Sequence, residues 1–356
     1  MIGRARIDRD RFVSRRADGR SQCHDGSIAG FRRRVKYFVL QSAFPSRTPS
    51  LSAYVPHNFA TIARTVSQIQ TSDVTIRVAT PDDAPAAGKI CFDAFTSISN
   101  AHNFPPDIPS VEVGIGLMSN LFTTPGFYCV VAEVGGRFVG SNCLDERAII
   151  YGLGPITVDP SVQNLGVGRK LMRAAMDRSK LKGAAGLRLV QAAFHNRSLS
   201  LYASLGFDIR EPLSCMQGRT TQRTIPGCTV RKAQLSDLES CNALSRRVHG
   251  YDRGADLAHA IQQGTAKVVE RGGKVTGYTS DLAFFGHATG ETNPDLQALI
   301  ASAESFGGPG ILIPSRNADL FRWCLSNSLR VTQPMTLMTS GLYNDPSGAY
   351  FPSILF

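Results

Sequence analysis

The sequence predicts an α/β (α+β) chain with two successive domains of the same design, and three observations carry that prediction. Short β-branched runs alternate with helical stretches whose apolar residues recur every three to four positions. An apolar run at 154–158 ends in a turn, and Gln163-x-x-Gly166-x-Gly168 then opens a helix with apolar residues at Leu171, Met172, Ala175 and Met176. Blocks of the stretch after residue 74 recur in the same order after residue 229, an internal repeat on the scale of a domain.

In chain order, residues 1–72 come first as a basic extension. They hold 13 of the 39 Lys and Arg residues but only 4 of the 28 Asp and Glu, so most of the net +11 lies here, and the rest of the chain balances 26 against 24. Pro45, Pro49 and Pro56 among serines break any helix, so a disordered extension is expected. Its Arg- and Ser-rich, acid-poor character is also that of organelle-targeting segments; without that role the chain is expected to be cytoplasmic.

A first domain is expected at 73–220. It opens with a strand from Val74, a polar turn at Pro81-Asp82-Asp83 and an amphipathic helix at 86–95. Pro105, Pro106 and Pro109 mark 102–119 as a loop region. Runs at 127–134 and 137–142 read as a hairpin across Gly135-Gly136. Beyond the motif helix, 187–193 reads as a short buried strand, and Asn196 as the N-cap of a helix that Gly206 ends.

Strand, glycine loop and helix N-terminus in that order make a place where backbone amides converge on a phosphate. A Walker loop would need Lys-Ser/Thr after its second glycine, and the chain has Arg169-Lys170-Leu171. A dinucleotide fingerprint would need a small residue where Leu171 stands. A second ordered pattern follows: Asn196-x-x-Leu199-x-x-Tyr202-x-x-x-Gly206-Phe207.

Gln163-x-x-Gly166-x-Gly168, with Val158-Asp159-Pro160 before it and this second pattern after it, resembles the GNAT N-acetyltransferase family over residues near 74–210. The resemblance implies a mixed, mostly antiparallel twisted sheet flanked by helices, with acetyl-CoA as co-substrate. It implies that Gln163, Asn164, Leu165, Gly166, Val167, Gly168, Arg169 and Lys170 hold the pyrophosphate. The strand edge at Ile156, Thr157 and Val158 would pair with the pantetheine arm, and Asn196 would face the same site. Tyr202 looks like the general acid that protonates the departing thiolate. For the general base, Glu146 in the triplet Asp145-Glu146-Arg147 is chosen over His195 and His102. The region 102–119 then belongs to the acceptor side, and the acceptor is a small-molecule or peptide amine.

The second half, 225–356, repeats the opening strand at 229–232, the hairpin around Gly272-Gly273 and the strand before Asn317. Aligning Asn317 on Asn196 sets Trp323 against Tyr202. The stretch 286–294 lacks the glycine loop and carries Glu291, so a degenerate domain that buttresses the first is expected. His249, Tyr251, Asp252 and Arg253 are candidates to line the acceptor cleft.

Composition closes other routes. The eight cysteines are scattered without Cys-x-x-Cys or paired Cys/His spacing, so no metal is expected. No apolar run reaches the ~18 residues of a membrane span. The near-neutral remainder argues against a nucleic-acid partner. A monomer or homodimer is expected. The alternative function is an acyl-CoA-binding sensor without turnover, against which an intact Tyr202 argues.

Overall fold

The computed structural model describes residues 73–355, with 222 and 223 excepted. The expectations about residues 1–72 lie outside the described residues. β1 (Val74–Val78) leads through a tight turn at Pro81–Asp83 into α1 (Ala84–Ala101), and α2 (Val111–Thr123) follows. The region expected as loop from 102 to 119 is therefore loop only to Ser110, whose hydroxyl caps α2 by accepting the Val113 N–H. The prolines mislead because all three precede that cap, where a helix tolerates them.

β2 (Phe127–Val134), β3 (Arg137–Asp145) and β4 (Ile150–Val158) come next, then α3 (Val167–Leu181), β5 (Gly186–Ala192), α4 (Asn196–Ser204) and β6 (Asp208–Gln217). The same order then recurs: β7 (Thr229–Lys232), α5 (Leu238–His249), α6 (Gly254–Gln263), β8 (Lys267–Arg271), β9 (Lys274–Thr279) and β10 (Ala288–Gly290). It continues with α7 (Asn293–Ala301), β11 (Ile311–Pro314), α8 (Ala318–Ser326) and β12 (Arg330–Gly341), and β13 (Ala349–Phe351) is an addition.

The repeat extends to single atoms. Arg77 on β1 reaches Asp83 at 2.7 Å and Glu133 at 2.7 Å, and Arg231 on β7 reaches Asp237 at 2.7 Å and Glu270 at 2.6 Å. In both halves the aspartate also accepts the backbone N–H three residues before it, at 2.8 Å. Both hairpins carry a register shift at the same place, between Ala132 and Glu133 and between Val269 and Glu270. In each hairpin the extra residue lies on the second strand, Val139 on β3 and Thr276 on β9, so the bulge too is repeated position for position.

The two halves do not keep a sheet each. One sheet has eight strands in the order β1-β2-β3-β4-β5-β12-β6-β11, and the other five in the order β13-β10-β9-β8-β7. All pairings between these strands are antiparallel except β4 with β5, so the eight-stranded sheet is mixed and mostly antiparallel, as expected, whereas the five-stranded sheet is wholly antiparallel. β12, from the second half, lies between β5 and β6 of the first, and buries Met335, Leu337 and Met338 there. Each such side chain contributes roughly 2 kcal/mol of burial. The strand exchange ties both halves into one compact unit.

Candidate active site

The site begins where β4 leaves β5. The two strands pair only from Ile150 to Gly152 with Gly186 to Arg188. On the other side, the register of β4 against β3 slips between Asn142 and Leu144, so Gly154 and Pro155 bulge opposite Cys143. A bulge bends the strand that carries it, and Pro155 has no N–H to offer a neighbour. β4 therefore swings away from β5 while staying paired to β3 through Val158. The result is a cleft of about 700 Å³, lined on one wall by Leu153 to Val158 and on the other by Leu189 to Ala192.

At the end of β4, Asp159 accepts the Ser161 N–H at 2.8 Å and pairs with Arg137 at 2.8 Å, which turns the chain. Asn164 has φ +70° and Gly166 φ +80°, the left-handed region that glycine enters without strain. Gly166 is the N-cap of α3, which buries Val167, Leu171, Met172 and Ala175 against the sheet. The N–H groups of Val167, Gly168 and Arg169 have no intrahelical acceptor, and among the described residues none of the three is bonded. They sit at the positive end of the helix dipole and open on the cleft.

The sequence-predicted residues divide at this point. Ile156, Thr157, Val158, Gln163, Asn164, Gly166, Val167, Gly168, Arg169, Asn196 and Tyr202 all line the cleft. Leu165 does not; it packs beside Val162 and Val167 on the core. Lys170 is corrected as well. Its N–H is taken by the Gly166 carbonyl at 3.1 Å, and its Nζ donates to the Val74 carbonyl at 3.0 Å, tying α3 to β1. Gln163 is a brace: its amide nitrogen donates to the Val158 carbonyl at 3.2 Å, and its oxygen accepts from Arg197 at 2.8 Å. Arg197 is a cleft residue that sequence reasoning passed over. Its only sequence signal is its place inside the second pattern, where it follows Asn196.

Asn196 is the first residue of α4 and not its cap. His195 is the cap, its Nδ1 accepting the Ser198 N–H at 2.9 Å. That bond leaves the proton of the neutral ring on Nε2, and burial holds the His195 pKa below its ordinary value, so the ring has no lone pair free for a base. His102 packs on Phe194, at 5.3 Å between ring centroids, and its Nδ1 lies 3.0 Å from the Ile98 carbonyl. Glu146 is the largest correction. Arg178 holds it by two bonds of 2.7 and 3.0 Å, and it is not among the residues of the cleft. A charge triplet at a strand end cannot disclose that a helix two elements away supplies its partner.

Tyr202 is 6% exposed and packs beside Met172, Leu189 and Phe207. Burial pushes its pKa well up, so it keeps its proton throughout the neutral range. The cleft is also lined from both halves: by Phe95 and Leu117 from α1 and α2, and by Phe284, Phe285, Met335, Ile354 and Leu355 from the second half. Those second-half residues replace the ones expected. His249, Tyr251 and Arg253 surround a separate cavity of about 20 Å³, and Asp252 pairs with Arg246.

Residues 125–209 match the family model of the acetyltransferase (GNAT) domain. The chain carries a GNAT acetyltransferase domain. The match begins at β2, later than the likeness from residue 74 that the sequence suggests. Two solved structures resemble the chain beyond that GNAT domain. A candidate acetyltransferase of Pyrococcus horikoshii has 18% identity and a TM-score of 0.59, covering 79% of this chain and 96% of its own. A GCN5-related N-acetyltransferase of Sphaerobacter thermophilus has 14% identity and a TM-score of 0.51, covering 78% and 98%. At these identities the likeness is one of fold. No curated protein matches the chain.

The corresponding place in the second half differs at each point that makes the GNAT cleft. β10 is covered on its outer edge by β13, from Ala288 opposite Phe351 to Gly290 opposite Ala349. α7 begins Asn293-Pro294-Asp295, so one first-turn amide is missing and another, that of Asp295, is bonded to the Thr292 carbonyl at 3.1 Å. The Asp295 carboxylate, fully buried, accepts from Thr276 and from Thr292 where an anion would sit. The alignment of the second pattern also shifts by one. The Asn317 N–H bonds to the last residue of β11 as the His195 N–H bonds to the last of β5, and Asn317 caps α8. Cys324, not Trp323, therefore matches Tyr202; it is buried and its thiol is pushed up to about 12.

Proposed function

We propose that the protein is an acetyl-CoA-dependent N-acetyltransferase that passes the acyl group to a primary amine by direct attack in a ternary complex. One observation carries this reading: the gap between β4 and β5 joins a strand edge without a partner among the described residues to the three unbonded amides at the start of α3. A thioester with a pyrophosphate at one end and an extended amide-bearing arm fits that pairing of features.

On this reading the amides of Val167, Gly168 and Arg169 hold the pyrophosphate, and the Arg169 and Arg197 guanidinium groups add charge at the same end. The arm pairs with the edge from Ile156 to Val158, and an N–H of that edge polarises the acyl carbonyl. A neutral amine attacks the carbonyl carbon. The C–N bond forms and the C–S bond breaks, leaving its electron pair on sulfur. The Tyr202 hydroxyl gives its proton to that sulfur and is reprotonated from water as the nitrogen sheds a proton. The raised pKa of Tyr202 keeps the acid in the form that donates. Residues 225–356 form, on this reading, a degenerate second domain that completes the acceptor end and takes no acetyl-CoA.

Calorimetric titration of the full chain with acetyl-CoA tests the reading. One saturable site that Gly166→Glu abolishes is the expected result. A well-folded wild type that binds no acetyl-CoA would overturn it.

A further inference from the structure

A primary amine reaches the enzyme as an ammonium ion and must lose a proton before it attacks, and the cleft holds one group suited to receive it. Asp107 stands in the loop between α1 and α2, and among the described residues that line the cleft it is the only Asp or Glu. The loop is fixed from both sides. α1 and α2 cross at Gly88 and Gly114, where a Cβ would lie 2.4 Å from the Ile115 Cα and 2.5 Å from the Gly88 carbonyl oxygen. Phe104 stacks on Phe194 of the cleft wall at 4.2 Å between centroids.

The carboxylate itself is held by the second half. Gln333 on β12 donates to Asp107 Oδ1 at 2.6 Å. Gln333 is buried, and the register of β12 against β6 slips between Val331 and Gln333, a bulge at Thr332 that turns Gln333 toward the loop. The titratable groups set against Asp107 are Cys91 on α1 and Cys215 on β6, both thiols pushed up to about 12 by burial and hence neutral. Among the described residues no cation pulls it down, and burial raises the Asp107 pKa above the ordinary carboxylate range.

We propose that Asp107 binds the acceptor's ammonium group and takes its proton, that Gln333 is its positioning residue, and that the acceptor is a singly charged primary amine on an apolar body. This deepens the N-acetyltransferase reading and rests on it. The step balances simply: one N–H bond of the ammonium breaks, its electron pair stays on nitrogen for the attack, and the proton passes to an Asp107 oxygen and then to water. The acceptor class follows from the walls. Phe95, Leu117, Phe284, Phe285, Ile354 and Leu355 offer apolar surface around one carboxylate, and a polycation would leave its further charges desolvated and unpaired there.

The test measures thiol release from acetyl-CoA with 2-phenylethylamine and with spermidine, beside acetyl-CoA affinity by calorimetry. Wild type is expected to favour 2-phenylethylamine at least tenfold in kcat/KM. Asp107→Asn should keep acetyl-CoA affinity within twofold, lose about 100-fold in kcat/KM at neutral pH, and recover as pH rises and the amine deprotonates unaided. Gln333→Leu should keep a bell-shaped profile but move its acidic limb to higher pH, a change that a merely structural role would not produce. Wild-type rates and an unchanged acidic limb in Asp107→Asn would overturn the base, and equal or better turnover of spermidine would overturn the acceptor class. Acetyl-CoA binding by wild type with no turnover of either amine also counts against the acceptor class. Absence of acetyl-CoA binding would remove the underlying reading, and this inference with it.

Discussion

At the start of α3 three amide protons face an open cleft; at the start of α7 one is absent, one is bonded, and a buried carboxylate occupies the space. The scaffolds around these two places are otherwise alike, down to the Arg77 and Arg231 ion pairs and the bulges at Val139 and Thr276. A strand–loop–helix unit can take an anion only when its polar groups are left unsatisfied. Where the protein satisfies them itself, with Asp295 and β13, the same unit becomes core.

The comparison breaks most easily at the helix starts. Gly166→Glu, which forces a carboxylate and a left-handed backbone together, should weaken acetyl-CoA binding by more than 100-fold. Glu291→Gly in the second half should leave the stoichiometry at one per chain. Calorimetry reads both, and two sites per chain in either protein would end the distinction.

The second helices sharpen it. Tyr202→Phe should lower kcat about 100-fold while acetyl-CoA affinity stays within twofold, because in the proposed mechanism the hydroxyl acts on the leaving group. Cys324→Ala, at the matching position of α8, should leave the rate within twofold. Steady-state kinetics separates the two outcomes, and equal effects would mean that neither residue donates a proton.

A smaller effect concerns stability. Asp295→Ala leaves the Thr276 hydroxyl and the α7 cap without an acceptor, and should cost about 2–3 kcal/mol by denaturant unfolding. A cost below about 0.5 kcal/mol would mean that the carboxylate is not what closes the second site.

The smallest effect tests the likeness itself. The Arg77 guanidinium beside Asp83 holds its carboxyl at about 2, below the usual carboxylate range, and Arg231 lowers Asp237 in the same way. A depressed folded pKa gives stability that is present above the unfolded value near 3.9 and lost as pH falls through about 2. Asp83→Asn and Asp237→Asn should each cost about 1 kcal/mol at pH 7, a figure discounted because both arginines are more than a third exposed. Variant and wild type should converge near pH 2, in unfolding measured across pH 2–7.

Much of this was legible in the residues because it is local. Gly166 and Gly168 after an apolar run, the Gly135-Gly136 hairpin and the recurring blocks after residue 229 depend on short-range backbone preferences and on periodicity. Local spacing failed where one residue of shift mattered: His195 took the cap expected of Asn196, and Cys324 took the place expected of Trp323.

What the sequence alone determined is the glycine-loop end of the cleft, since a glycine loop between a strand and a helix carries its geometry within some fifteen consecutive residues. The tertiary structure alone decided the opposite, apolar-walled end of the cleft and the partners of charge. The exchange of β12 brings Gln333 to Asp107 across 226 positions of chain, and Arg178 reaches Glu146 from another element. Such contacts are set by packing between elements, and no spacing along the chain encodes them.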